Sequence, residues 1–141
     1  MTLLGSKLRR IVVISLLLSI FSIKAIASNY YWVGGSGNWS DLNHWATTSG
    51  GTTLHTQIPT ALDDVFFDAG SGFTAASKTV TINASTAFCH NMDWTGASNN
   101  PALAGNYLNT LNVYGSLVPS LLPIGLPLRF NACTLHMKSH K

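Results

Sequence analysis

The chain has 141 residues, and its eight Lys or Arg residues against five acids give a formal net charge of +3. Four of the basic residues lie within the first 27 residues, whereas all five acids, each an Asp, come later. Residues 28–141 therefore carry a net charge of −1 and offer no basic stripe for a phosphate backbone, so nucleic acid is not expected as a partner.

Residues 1–27 have the pattern of an export signal. Lys7, Arg9 and Arg10 form a basic start, residues 11–23 are an apolar run, and residues 25–27 read Ala-Ile-Ala, a small-x-small cleavage pattern. The run is shorter than the roughly 20 apolar residues that a membrane span needs. We predict a signal-peptide helix that is removed after Ala27, which leaves a secreted or cell-surface chain, or a periplasmic one if surface delivery fails, without a membrane span.

The composition after residue 27 predicts an all-β fold. This part contains no Glu, few Lys and abundant Thr, Ser, Asn and Gly. Glu and Lys favour helices, Thr and aromatic residues favour strands, and Asn, Gly and Ser favour turns. Four Trp and four Tyr argue against disorder. The expected architecture is the β-solenoid-like or sandwich-like start of a larger β structure.

The first predicted element of the mature chain is a strand at residues 30–33, followed by a glycine-rich turn at residues 34–37. A single helical turn should follow, with Ser40 as its cap and Asp41 near its positive end. Trp39, Leu42 and Trp45 recur every three residues and should share one face of that turn.

Trp32, Trp39 and Trp45 admit two interpretations. They can plug the end of a β core, or they can form an exposed platform on which a glycan stacks. Burial is favoured, because leaving such a side chain in water forfeits about 2 kcal/mol.

Further strands are predicted with centres near residues 66, 81, 91 and 112. Val80 and Ile82 alternate onto one face, as do Leu111 and Val113. The stretch 88–94 reads as one strand with two faces. Its predicted inward residues are Phe88, His90, Met92 and Trp94, and its outward residues are Cys89, Asn91 and Asp93. His90 is interpreted as a hydrogen-bonded core histidine.

The acids give only weak indications of a site. Asp63, Asp64 and Asp68 could supply oxygen ligands to calcium, but their spacing is not that of an EF-hand and Asp also favours turns. Neighbouring residues Asp63 and Asp64 point to opposite faces of a strand, which makes a poor pair for glycoside hydrolysis. No catalytic residue and no cofactor are predicted.

Cys89 and Cys133 could form a disulfide in an oxidising compartment. Such a bond would close a loop of about 45 residues and contribute on the order of 4 kcal/mol. The alternative is two unrelated free thiols.

Residues 118–141 differ from the β-rich module predicted at 28–117. Pro119, Pro123 and Pro127 should prevent continuous pairing in a sheet, and the polar residues that follow show no alternation. We expect a Pro/Leu stretch and a tail without strands, and our hypothesis is the beginning of a longer protein shortened by a stop or a frameshift.

Four segments together resemble the N-terminal region of large secreted or cell-surface proteins of Bacteroidetes-type bacteria, many of them adhesin-like. The segments are residues 31–45 (YWVGGSGNWSDLNHW), residues 59–68 with the DDVFFD run, residues 91–97 (NMDWTGA) and residues 111–117 (LNVYGSL). The resemblance covers roughly residues 30–117. It implies export, a β-rich, solenoid-like fold and a role at the cell surface, and it carries no catalytic residues across.

The sequence thus predicts an exported, non-enzymatic structural or adhesion module whose partner is a glycan or another surface protein. One alternative is a small carbohydrate-binding module that uses the tryptophans. Another is a non-catalytic fragment of a secreted polysaccharide-active enzyme.

Overall fold

The computed structural model describes residues 26–119, 129–131 and 133–138. The predicted signal peptide lies outside these residues apart from its last two positions. The described residues form two one-turn 3₁₀ helices, Leu42–His44 and Ala69–Ser71. They also form short strands, which are β1 Asn29–Trp32, β2 Gly37–Asn38, β3 Trp45–Ala46, β4 Asp64–Phe66, β5 Thr79–Thr81, β6 Thr86–Cys89, β7 Met92–Asp93, β8 Ala102–Ala104, β9 Thr110–Val113, β10 Leu117–Val118, β11 Arg129–Asn131 and β12 Thr134–Met137.

The strands make three sheets. Sheet A has the order β10-β7-β4-β1-β3, sheet B the order β11-β8-β5-β2, and sheet C the order β12-β9-β6. Every pair is parallel except β1 with β3. From β4 onward the chain visits sheets A, B and C in the same order on each of three passes. The prediction of an all-β fold is confirmed, since the described residues contain no α-helix.

The parallel register lines up apolar side chains from successive passes into columns. In sheet A, Tyr30 pairs with Val65, Val65 with Met92, and Met92 with Leu117. Tyr30, Val65 and Met92 are buried, and Leu117 packs against the same core. The predicted inward residues of the central strands are also buried as expected, namely Val80, Ile82, Leu111 and Val113.

The stretch 88–94 does not form one strand, which corrects the predicted alternation. Strand β6 ends at Cys89 in sheet C, and β7 begins at Met92 in sheet A, with a corner between them. The corner shifts the alternation by one residue, so Cys89 is buried while Phe88 is 37% exposed. Met92 and Trp94 are buried as predicted.

Strands also form where the sequence predicts none. β8 follows the loop at 96–101, and β11 and β12 lie within the predicted tail. These strands are only three or four residues long and pair in parallel register with the previous pass. Because each pass needs only a short strand, prolines between the strands do not prevent pairing.

Candidate functional site

At one end of the stacked sheets, the segment 39–55, which we call the cap, covers the edge of sheet A. Within it, β3 runs antiparallel to β1, with Tyr31 opposite Ala46 and Trp32 opposite Trp45. A further antiparallel bridge joins Ala46 to Leu54. An unpaired strand edge is a template for unwanted association. The cap covers the edge of sheet A at this end with chain that runs in the opposite direction.

The cap encloses an aromatic cluster that contains the three predicted tryptophans. Trp32, Trp39 and Trp45 are all 0% exposed. The ring of Trp45 meets Trp32 edge-on at 4.9 Å and Trp39 edge-on at 4.8 Å. Below them, Phe67 stacks on Trp94 with centroids 3.9 Å apart. The interpretation of the tryptophans as a plug is confirmed, and their buried rings offer no face to a glycan.

The helical turn of the cap differs from the prediction in two ways. Asp41, not Ser40, is the N-cap, and its Oδ1 accepts a hydrogen bond from the backbone N–H of Asn43 at 3.0 Å. Ser40 instead pairs with Asn83 on the next pass, donating its N–H to Oδ1 at 3.1 Å and accepting from Nδ2 at 2.7 Å. Leu42 is 37% exposed and does not share the buried face of Trp39 and Trp45.

Two histidines fasten the cap to β1, and sequence reasoning missed both because neither has metal-ligand spacing. The ring of His44 stacks on Trp32 at 4.6 Å and its Nδ1 lies 2.6 Å from the carbonyl oxygen of Val33. The ring of His55 stacks on Tyr30 at 3.7 Å and its Nε2 lies 3.0 Å from the carbonyl oxygen of Asn29. Each ring therefore combines apolar contact with a backbone hydrogen bond.

The three aspartates proposed as calcium ligands serve separate local structures. Asp63 is 3% exposed, and its Oδ2 accepts hydrogen bonds from the N–H of Thr60 at 2.7 Å and its hydroxyl at 2.6 Å. Asp68 caps the second 3₁₀ helix in a capping box with Ser71. Among the described residues, no group of three or more His, Cys, Asp or Glu side chains is placed to hold a metal ion.

Asp64, Asn91 and Ser116 form a corner ladder on successive passes. Each comes directly before a residue of the apolar column in sheet A, in which Val65 pairs with Met92 and Met92 with Leu117. Asp64 Oδ1 accepts from the backbone N–H of Asn91 at 3.0 Å and from its Nδ2 at 2.8 Å. Asn91 Oδ1 accepts from the backbone N–H of Ser116 at 2.7 Å. A side chain on each pass thus fixes the backbone of the next.

His90 lies beside this corner ladder and not in the core. Its Nδ1 is 3.0 Å from Asp64 Oδ1, and its side chain is 40% exposed. The predicted hydrogen bond is present, but the predicted core position is wrong, because the corner after β6 turns His90 toward solvent.

Cys89 and Cys133 are free thiols, so the disulfide hypothesis is wrong. In sheet C, Cys89 aligns with Val113 and Val113 with Met137, while Cys133 lies four residues before Met137. The two Cα atoms are therefore roughly 16 Å apart, from the strand spacing and the rise per residue. A disulfide requires a Cα separation of about 4.4–6.8 Å.

We expect the two thiols to react at different rates. Burial, with the nearby Asp64 charge, raises the pKa of Cys89 to about 12, and burial also raises the pKa of Cys133. Cys89 is fully buried, whereas Cys133 is only partly so. Iodoacetamide at pH 8 should modify Cys133 first and Cys89 only after unfolding, as read by peptide mass spectrometry. A Cys133→Ser variant should lose the fast modification, and rapid labelling of native Cys89 would contradict the buried position.

The opposite end of the stack is built from β10, β11 and β12. Within the described residues, each of these strands pairs on one side only, with β7, β8 and β9 respectively. Met137 aligns with buried Val113 yet is 50% exposed. This end, which we call the open end, therefore has no counterpart of the cap among the described residues.

No protein-family model, curated protein or solved structure matches this chain. In the described part of the chain, no helix has both the length and the apolar character needed to cross a membrane.

Proposed function

We propose that this protein is an exported, non-enzymatic structural module that caps and starts a β-solenoid at the cell surface. The observation that carries the proposal is the asymmetry of the stack: at one end an antiparallel strand and a buried aromatic cluster cover the edge of sheet A, while at the other end the outermost described strand of every sheet is parallel and in register with the strand before it. A module with these two ends can form the first coils of a stack, and further coils can pair with its open end.

Parallel pairing favours a solenoid over a sandwich. Sandwiches are built from antiparallel sheets joined by hairpins and Greek keys, whereas here nearly all pairs are parallel. The corner ladder gives the length of one coil, because Asp64 and Asn91 are 27 residues apart and Asn91 and Ser116 are 25 apart. Stacked repeats of 20–45 residues that contact only their neighbours are typical of solenoid proteins.

Several features support a binding or scaffolding role over catalysis. The carboxylates of Asp63 and Asp68 hold turns, and that of Asp64 holds the corner ladder. The tryptophans that a carbohydrate-binding module would use are inside the core. Export is supported by the signal pattern of residues 1–27, and a surface role by the resemblance to adhesin-like proteins.

Duplicating one coil tests the proposal. A second copy of residues 91–115 is inserted directly after Gly115. Ser116 then follows the copied Asn91 by one coil, as it now follows Asn91 itself. The strands of the added coil can pair with the coils on both sides in the same parallel register. Because each coil contacts only its neighbours, the longer protein should fold and unfold at a higher temperature, as read by circular dichroism. The melting temperature should rise by several degrees.

The matched control inserts the same 25 residues in scrambled order, which preserves length and composition but removes the register. That protein should melt at a lower temperature than the original. If the duplicated and scrambled insertions behave alike, the stack is not modular and the solenoid proposal fails.

A further inference from the structure

Among the described residues, the first hydrogen bond to a distant part of the chain lies directly after the predicted cleavage point. The backbone nitrogen of Ser28 donates a hydrogen bond to Asp63 Oδ1 at 2.9 Å, and β1 starts at the next residue. On the other side of the predicted scissile bond, Ala27 is exposed and Ile26 is 82% exposed. The bond between Ala27 and Ser28 therefore lies where the exposed segment meets the fold.

Asp63 is a buried carboxylate without a cation beside it. It is only 3% exposed, and among the described residues no Lys, Arg or His side chain forms an ion pair with it. Its hydrogen-bond donors are the neutral groups of Thr60 and the backbone N–H of Ser28. A buried charge that lacks an opposite charge is costly, so this site is suited to a positive group at the position of the Ser28 nitrogen.

We infer that removal of the leader after Ala27 creates an ion pair between the new α-ammonium group of Ser28 and the carboxylate of Asp63. The inference rests on the proposed export of the chain. A signal peptidase hydrolyses the Ala27–Ser28 amide: the C–N bond breaks, the oxygen of one water becomes the second oxygen of the Ala27 carboxylate, and the two protons of that water convert the Ser28 nitrogen into an ammonium. The nitrogen already lies at hydrogen-bond distance from Asp63 Oδ1, so no rearrangement is needed.

The processed chain should consequently be more stable than the unprocessed one. In the precursor, Ser28 offers Asp63 one neutral N–H; after cleavage it offers an ammonium, which adds an attraction between opposite charges that the neutral N–H lacks. The reaction that releases the chain from its leader would then also stabilise the start of β1 against Asp63.

Two purified chains test the inference, one starting at Ser28 and one at Ala27. They carry the same net charge, but the second holds its ammonium one residue away from Asp63. At pH 6 the Ser28 chain should have an unfolding equilibrium constant about tenfold smaller in urea titration, since only in that chain do an ammonium and the buried carboxylate of Asp63 attract each other as opposite charges. Asp63→Asn should abolish the difference, while Asp68→Asn, which changes a turn aspartate elsewhere, should preserve it.

The difference in stability between the two unsubstituted chains, measured as a function of pH, tests the ion pair even if Asp63→Asn does not fold. An unpaired α-amino group titrates near pH 8, about its ordinary pKa. The advantage of the Ser28 chain should be complete at pH 6 and disappear as the pH rises through the titration of the paired ammonium. A difference that is absent, independent of pH or retained in Asp63→Asn overturns the inference.

N-terminal sequencing of the exported protein completes the test. Ser28 as the first residue supports the inference, and any other first residue overturns it. Neither result affects the coil duplication, which probes the stack and not its first residue, so failure of this inference is distinguishable from failure of the proposed function.

Discussion

Replacing Phe67 with alanine should lower the free energy of unfolding by about 3–5 kcal/mol, the usual cost of deleting a buried aromatic ring. Phe67 is 0% exposed and occupies the centre of the aromatic cluster. It stacks on Trp94 at 3.9 Å and lies within about 6 Å of Trp32 and Trp45. Large rings on every side cannot collapse into the space that Phe67 leaves, so the cavity should persist. Urea denaturation followed by tryptophan fluorescence measures the loss.

Phe88 provides the matched control, since the same residue type is 37% exposed on the outer face of β6. Phe88→Ala should change the stability by less than about 1 kcal/mol, as expected for substitutions at the surface. Equal losses of stability in the two variants would contradict the outward orientation of Phe88 on β6 and the buried position of Phe67 in the aromatic cluster.

Replacing Asn91 with alanine should lower the free energy of unfolding by about 2 kcal/mol. The amide group of Asn91 joins two passes of the chain, because Nδ2 donates to Asp64 and Oδ1 accepts from the backbone of Ser116. Each hydrogen bond contributes about 0.5–1.5 kcal/mol. The substitution also leaves the Ser116 N–H without its acceptor. Hydrogen exchange should show faster exchange of that amide, and thermal unfolding should show the lower stability.

Asn43 is the comparison residue for this substitution. Its side chain is exposed and donates to Asp41, two residues earlier, and to no other described residue. Asn43→Ala should therefore leave stability within about 0.5 kcal/mol of the original value. If Asn91→Ala were equally mild, the corner ladder would not hold successive passes together, and the register would depend on the apolar columns alone.

The predictions that succeeded depended on local alternation. Val80, Ile82, Leu111 and Val113 are buried because a period of two places them on one face whatever the strand pairs with. The burial of Trp32, Trp39 and Trp45 was predictable from their area, since a fold that leaves three such rings in water loses too much free energy.

The errors came from corners, because a corner is defined by the next pass of the chain and not by neighbouring residues. The turn at His90 and Asn91 is held by hydrogen bonds to Asp64, 26 and 27 residues earlier. Nothing within the stretch 88–94 marks the change of sheet, so one alternation was extended across two strands. The wrong disulfide prediction has the same cause, since only the register of sheet C shows how far apart Cys89 and Cys133 lie.

The sequence by itself determined the β character of the chain, the apolar faces of its central strands and the burial of its tryptophans. These follow from composition and from the two-residue period, which act over a few residues. The tertiary structure alone decided which strands are neighbours, that the pairs are parallel, and that Asp63 meets the nitrogen of Ser28 from 35 residues away. Such contacts depend on backbone hydrogen bonds between distant segments, and backbone groups are the same in every residue type except proline.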